Sequence, residues 1–212
     1  MASPLKVGVI ISGGGSNLQA LIDAAAAPDL PAEIGLVISN NAGAYGLERA
    51  RKAGIATKVI DHRTYPDRES FDRDLTVALE KAGVELVCLA GFLRVLTDEF
   101  VNHWRDRMIN IHPSLLPKYK GLHTHKRAIE AGEEYHGCTV HYVRPDLDTG
   151  PLLLQARVPV LEGDTPEILA GRVLEKEHLI YPEALRKIAL GEITVEGETP
   201  MVNGHPGPVL ID

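Results

Sequence analysis

Leu5-Lys-Val-Gly-Val-Ile-Ile-Ser-Gly-Gly-Gly-Ser-Asn-Leu18 runs from an apolar stretch of strand length, through three glycines, into the polar start of a helical pattern. Glycines let the chain turn tightly after the strand. Ser16 or Asn17 is expected to cap the helix that follows. First-turn amides and the positive end of the helix then converge on one spot, which is how a backbone holds a phosphate. Two familiar nucleotide motifs are excluded. Leu18 stands where a dinucleotide fingerprint needs its third glycine, and the next strand ends in Ser39, Asn40 and Asn41, with no acidic residue for a ribose. A P-loop would need a lysine after the glycines. The competing reading is a tight strand-to-helix turn that binds nothing.

The same strand-then-helix rhythm continues outward. Apolar runs at Leu5–Ser12, Ile34–Ser39, Thr57–Ile60, Leu86–Ala90 and Met108–Ile111 read as strands, and Ser16–Ala27, Ala44–Ala53, Arg68–Ala82 and Thr97–Trp104 have helical spacing. Such alternation predicts βαβ units on a parallel, Rossmann-like sheet. Later, Thr139–Val143 and Leu152–Val160 read as two strands joined by a turn-rich loop, before a helix from about Thr165 to Leu190. The expected fold is therefore α/β, a parallel sheet extended by antiparallel strands into a mixed sheet flanked by helices. After Gly191 the Gly and Pro content predicts a poorly ordered tail.

With 212 residues, 44% hydrophobic and 24% charged, the chain can bury one sizeable core or two joined halves. A net charge of −7 argues against a nucleic-acid partner, which requires clustered Lys and Arg. Two cysteines supply neither a four-thiolate zinc site nor a disulfide framework, and Cys88 and Cys138 read as reduced core thiols. No stretch has membrane-span length and no signal-peptide pattern precedes Leu5, so the expectation is a cytoplasmic protein with small-molecule substrates. Monomer and homodimer remain open.

Met108-Ile-Asn-Ile-His-Pro-Ser-Leu-Leu-Pro117 carries the chemistry. Asn110 and His112 sit two residues apart on a strand and so project to one side before Pro113 ends the pairing. A lone pair of this kind is often structural. A second segment, Arg144-Pro-Asp-Leu-Asp-Thr-Gly-Pro151, places Asp148 in a loop after a strand, where its carboxylate can face His112 and favour the protonated ring. Phe92-Leu-Arg-Val-Leu96 follows an apolar strand and so lies where open α/β sheets bind ligands, although for Phe92 and Leu96 taken alone core packing is the better reading. His123, His125, His136 and His141 raise the question of a metal; without an accompanying thiolate they read better as ordinary histidines, and no metal is expected. Glu130, Glu133 and Glu134 read as a solvated helix end.

Together these segments, with Gly121-Leu-His-Thr-His125 and Glu177-His-Leu-Ile-Tyr-Pro182, resemble the folate-dependent formyltransferases over nearly the whole chain, in order. Two positions depart from that pattern: Gly14, where a larger residue is common, and Lys120, where a proline is common. The resemblance is strongest to members acting on glycinamide ribonucleotide. It implies formyl transfer from 10-formyltetrahydrofolate as co-substrate to the amine of that nucleotide, a step of purine synthesis needing no metal. It further implies Asn110, His112 and Asp148 as catalytic residues; Gly15, Ser16, Asn17 and Glu177 as contacts of the phosphoribosyl substrate; and Arg68, Leu93, Arg94, Val95, Leu96, Asn110 and Leu147 as folate contacts. From its neighbours Asp67 and Glu69 alone, Arg68 reads as an exposed helix-start residue. Residues 1–212 are accordingly expected to form one formyltransferase domain, with a phosphate-binding half at about 1–104, a catalytic and folate-binding half at about 105–190, and a tail at 191–212.

Two relatives with the same constellation are disfavoured on length: one acting on an aminoacyl-tRNA, expected to carry an added C-terminal domain, and a formyl-folate hydrolase with an extra N-terminal one. A phosphosugar-binding module without catalysis would have no use for Asn110, His112 and Asp148 together.

Overall fold

The computed structural model describes residues 3–211. It divides into two compact units, the first ending at Asn110 and the second beginning at Ile111.

In the first unit the elements alternate: β1 (Leu5–Ile11), α1 (Ser16–Ala25), β2 (Ala32–Ser39), α2 (Tyr45–Lys52), β3 (Thr57–Val59), α3 (Arg68–Lys81), β4 (Leu86–Leu89), α4 (Asp98–His103) and the start of β5 (Met108–His112). All strand pairs here are parallel, in the order β5-β4-β1-β2-β3. Central parallel strands are covered on both faces, which is why β4, and β1 from Val7 onward, carry no polar side chain. Val7, Val9, Ile10, Ile11, Val87 and Cys88 are fully buried. At Gly8 a Cβ would come within 2.6 Å of Leu79 Cδ2, so the glycine lets α3 close on the strand.

Helix starts follow from local chemistry. Asp67 caps α3 by accepting from the Ser70 N–H at 2.7 Å, and Thr97 caps α4 through the Phe100 N–H. Asp72 in turn accepts from the Thr97 N–H at 2.7 Å; burial pushes its carboxyl above the usual range. The cap expected at α1 from Ser16 or Asn17 does not form. Gly15 holds the N-cap position at φ 69 with no side-chain cap bond, because the turn out of β1 needs a left-handed residue there.

The second unit takes the end of β5, then α5 (Thr124–Glu130), β6 (Tyr135–Tyr142), β7 (Leu152–Pro159), α6 (Pro166–Ala189) and four short strands: β8 (Ile193–Glu196), β9 (Thr199–Val202), β10 (His205–Pro206) and β11 (Val209–Ile211). β6 and β7 pair antiparallel and α6 packs on both. Thr165 caps α6, with Pro166 at the first turn. The strand set is thus mixed, parallel and antiparallel, and flanked by helices, as the sequence predicts.

Two further expectations are corrected. β6 begins at Tyr135 rather than Thr139: Gly137 is a close-approach residue inside the strand, since any Cβ there would run into the Ala156 carbonyl on β7. The segment after Gly191 is not a loose tail. β8, β9 and β10 form a small antiparallel sheet and β11 adds to β7 in parallel register. Its glycines are hinges: Gly191, Gly197 and Gly204 all have positive φ, and the short runs between them bury Ile193 and Val202.

Candidate active site

The candidate site residues fall in both units. In the first, the turn from β1 to α1 leaves Gly13 and Gly14 exposed, and a Cβ on either would meet nothing within 4 Å. Gly15 is different. Its Cβ would lie 2.7 Å from the Gly46 Cα, and Gly46 donates its N–H to the Gly13 carbonyl at 3.1 Å. From α2, Arg49 Nε donates to the Gly14 carbonyl at 2.9 Å and Nη1 to Gln19 Oε1 at 3.2 Å. The loop's carbonyls are therefore turned towards α2. First-turn N–H groups of a helix have no partner inside the helix, so this end of α1 suits an anion. Asn17 is buried and Ser16 partly so.

The stretch after β4 lies beside that turn. Ser12 Oγ accepts from the Leu93 N–H at 3.0 Å, and the Ser12 N–H donates to the Gly91 carbonyl. Leu93 is 79% exposed and Val95 61%, whereas Leu96 is buried. Apolar side chains presented so openly at the carboxyl end of a parallel strand are suited to a flat ring more than to core packing. Arg68 is the exposed first residue of α3, next to its cap Asp67.

In the second unit, His112 ends β5 and is buried, as is Asp148. His112 Nδ1 lies 3.5 Å from Asp148 Oδ2, a charge contact, and Nε2 lies 3.0 Å from the Tyr119 carbonyl. A carbonyl only accepts, so Nε2 carries the hydrogen in that contact, and Nδ1 faces the carboxylate. Asp148, in left-handed conformation at φ 52, also accepts from the Gly121 N–H at 2.8 Å. Its other oxygen is 3.8 Å from Nε2 of the buried His141. Burial pushes His141 below the ordinary histidine range, against the pull of Asp148, and its Nδ1 lies 3.0 Å from the Tyr142 carbonyl. Of the two rings flanking one carboxylate, His141 is thus favoured in its neutral form by burial.

The loop between β5 and α5 is fastened by hydrogen bonds at both ends. Thr139 Oγ1 donates to the Ser114 carbonyl at 2.7 Å and accepts from the Leu116 N–H; Gln155 Nε2 donates to the Leu116 carbonyl; Thr124 Oγ1 donates to the Pro113 carbonyl. Gly150 closes the Asp148 loop, where any side chain would strike the Tyr142 carbonyl. Leu147 is 58% exposed next to Asp148. Glu177 is a buried carboxylate on the inner face of α6, and its charge adds to burial in pushing the Cys138 thiol far up.

His125 and His136 stack edge to face with centroids 5.1 Å apart, and burial pushes both below their ordinary value, His136 to about 4. His123 is the exposed N-cap of α5. Among the described residues no group of three or more His, Cys, Asp or Glu is disposed to hold a metal. Among them, too, no helix is long and apolar enough to cross a membrane.

A family model described as formyl transferase matches residues 5–185. The chain belongs to the formyl transferase family. Among its relatives, the phosphoribosylglycinamide formyltransferase of Escherichia coli K12 is 45% identical over 204 residues, covering 96% of each chain. The trifunctional purine biosynthetic protein adenosine-3 of Drosophila pseudoobscura is 56% identical over 190 residues, and the chain spans only 14% of its length. A solved phosphoribosylglycinamide formyltransferase from Coxiella burnetii, 48% identical, superposes with a TM-score of 0.93 over 98% of this chain and 100% of that one.

Sequence reasoning brought His112 and Asp148 together correctly in space. It missed the Tyr119 carbonyl and the Gly121 amide, which belong to the backbone and leave no residue signature. It also treated His141 as an ordinary histidine. The signal that pointed elsewhere was its position near the end of β6, one strand end before the Asp148 loop.

Proposed function

We propose that this member of the formyl transferase family transfers the formyl group of 10-formyltetrahydrofolate to the primary amine of glycinamide ribonucleotide, giving formylglycinamide ribonucleotide and tetrahydrofolate in purine biosynthesis. One observation carries the reading: the ring of His112 held between the Tyr119 carbonyl and Asp148, just beyond Asn110 on the same strand. End-to-end similarity to phosphoribosylglycinamide formyltransferases supports the choice of substrates.

Attack of the amine on the formyl carbon forms a C–N bond and places negative charge on the formyl oxygen. Collapse breaks the bond to the folate nitrogen, which takes up a proton as the amine loses one. The Asn110 amide and the positive ring of His112 stabilise the oxyanion. For direct donation, His112 Nε2 must share its hydrogen between the Tyr119 carbonyl and the new oxyanion, and Asp148 keeps the ring charged meanwhile. A water held by Asp148 relays the proton from amine to leaving group. In this proposal Gly15, Ser16 and Asn17 bind the phosphoribosyl group with Glu177, and Arg68, Leu93, Arg94, Val95, Leu96, Asn110 and Leu147 bind the folate. The two units then serve one formyltransferase domain.

The test is an assay of the purified chain with glycinamide ribonucleotide and 10-formyltetrahydrofolate. Equal amounts of formylated nucleotide and tetrahydrofolate are expected. Release of formate without formylated nucleotide, or no turnover of the folate, would overturn the reading.

A further inference from the structure

Lys118 and Tyr119 are bound twice, once by their backbone and once by their side chains. The Lys118 carbonyl accepts from Ser114 Oγ at 2.7 Å, and the Tyr119 carbonyl accepts from His112 Nε2 at 3.0 Å. The side chains of the same two residues both end on Glu133, in the connection from α5 to β6. Lys118 Nζ donates to its two carboxylate oxygens at 2.8 and 2.9 Å, and the Tyr119 hydroxyl donates to Oε1 at 2.7 Å. These contacts hold the Glu133 carboxyl below its ordinary range and push the Tyr119 hydroxyl up.

An exposed lysine paired with a carboxylate contributes little by itself. The hydroxyl-to-carboxylate bond is the stronger contact, because the acceptor is charged and only partly exposed. Tyr119 also has φ 56, a left-handed conformation that a side chain of its size keeps only where its surroundings hold it. The Arg127 guanidinium lies 5.2 Å from the centre of its ring and donates to the Lys120 carbonyl, closing the far side of the turn.

We propose that Glu133 is a positioning residue for the transfer: by gripping Lys118 and Tyr119 it holds the Tyr119 carbonyl against His112 and so fixes the orientation of the imidazole. Glu133 touches no reacting atom. The sequence suggests a solvated helix end here, whereas the structure gives this carboxylate three donated hydrogen bonds.

The inference rests on His112 acting in the formyl transfer, and its test separates the two ideas. Glu133→Ala and Tyr119→Phe are made in the full chain, with Glu133→Gln as the conservative variant. In the formyl-transfer assay Glu133→Ala is expected to lower kcat by about ten- to a hundredfold, the scale of a small misplacement of a catalytic group, with KM for both substrates little changed. Glu133→Gln, which still accepts from the tyrosine hydroxyl, recovers part of the loss. In a His112→Ala background, Glu133→Ala adds no further loss. Independently of turnover, the His112 Nε2–H resonance, protected in the parent by its bond to the Tyr119 carbonyl, is expected to broaden or vanish in Glu133→Ala and Tyr119→Phe. An unchanged resonance, an unchanged kcat, or a loss fully additive with His112→Ala would each overturn the proposal. A parent chain that forms no product while the resonance responds as expected would count against the catalytic reading alone.

Discussion

Where the first unit presents backbone, at Gly13, Gly14 and Gly15, the second presents buried side chains, at His112, Asp148 and His141. The glycine turn is built by leaving atoms out: two glycines face open space and the third lets Gly46 come close. The histidine site is built by filling. Each ring nitrogen of His112 and each oxygen of Asp148 faces a partner, and both residues are nearly out of solvent. A backbone cradle gains selectivity from shape and the helix-end field, whereas a buried charged pair gains it from protonation state. The two should therefore fail differently when altered.

The largest effect is expected at the side-chain site. His112→Ala should lower turnover by about two to four powers of ten, the range for a positioned acid or base, while both substrates bind much as before. A folded variant with near-parent turnover would remove the ring from the chemistry and leave the second unit as a binding surface only.

Asp148→Asn should follow, with a loss of about ten- to a thousandfold at neutral pH. The amide oxygen still accepts from the Gly121 N–H, so the loop keeps its shape, but the negative charge beside His112 is gone. A circular-dichroism spectrum and melting temperature like the parent's would assign the loss to charge. Loss of fold would instead make Asp148 a structural anchor.

No mutation is needed for the next contrast. His125, His136 and His141, all in the second unit, are pushed below their ordinary value mainly by burial, His136 from 6.5 to about 4. Between those two values the unfolded chain binds more protons than the folded one, so stability falls as pH drops from about 6.5 towards 4. The urea midpoint should fall over that window, and His136→Asn should flatten the fall. A midpoint constant from pH 7.5 to 4.5 would show that these rings are not held neutral in the folded state.

How much of this was legible follows the same division. The strand, glycines and helix start of the first unit could be read because parallel core strands are plain apolar runs and three glycines mark a turn. The approach of Asp148, in its loop, to His112, at the end of β5, was legible because a turn-rich segment after one strand and a proline-stopped strand end both mark where polar side chains collect. The Tyr119 carbonyl and Gly121 amide were not, since any residue supplies them. The Gly and Pro content after Gly191 suggests a loose tail from composition alone, but positive-φ turns between short strands need the same residue. Of α5 only the end near Glu130 was legible, because it is one short helix whose N-cap, His123, gives no capping bond.

The smallest effects should come from the cradle, and there two neighbouring glycines give the sharpest test. Gly15→Ala forces a left-handed conformation on alanine and drives its Cβ towards the Gly46 Cα, so a stability loss of about 1–2 kcal/mol is expected from backbone strain, with the contact adding to it. Because the turn must shift, affinity for the phosphoribosyl substrate should fall as well, more than affinity for the folate. Gly14→Ala places its methyl in open space, and stability should stay within about 0.5 kcal/mol of the parent. If the amides of this turn hold the phosphate, that methyl stands where the ligand approaches, and calorimetry should show weaker nucleotide binding with unaltered folate binding. Gly14→Ala with parent affinity for the nucleotide would leave only the packing role of Gly15, and the turn would then be a tight corner between β1 and α1 that binds nothing.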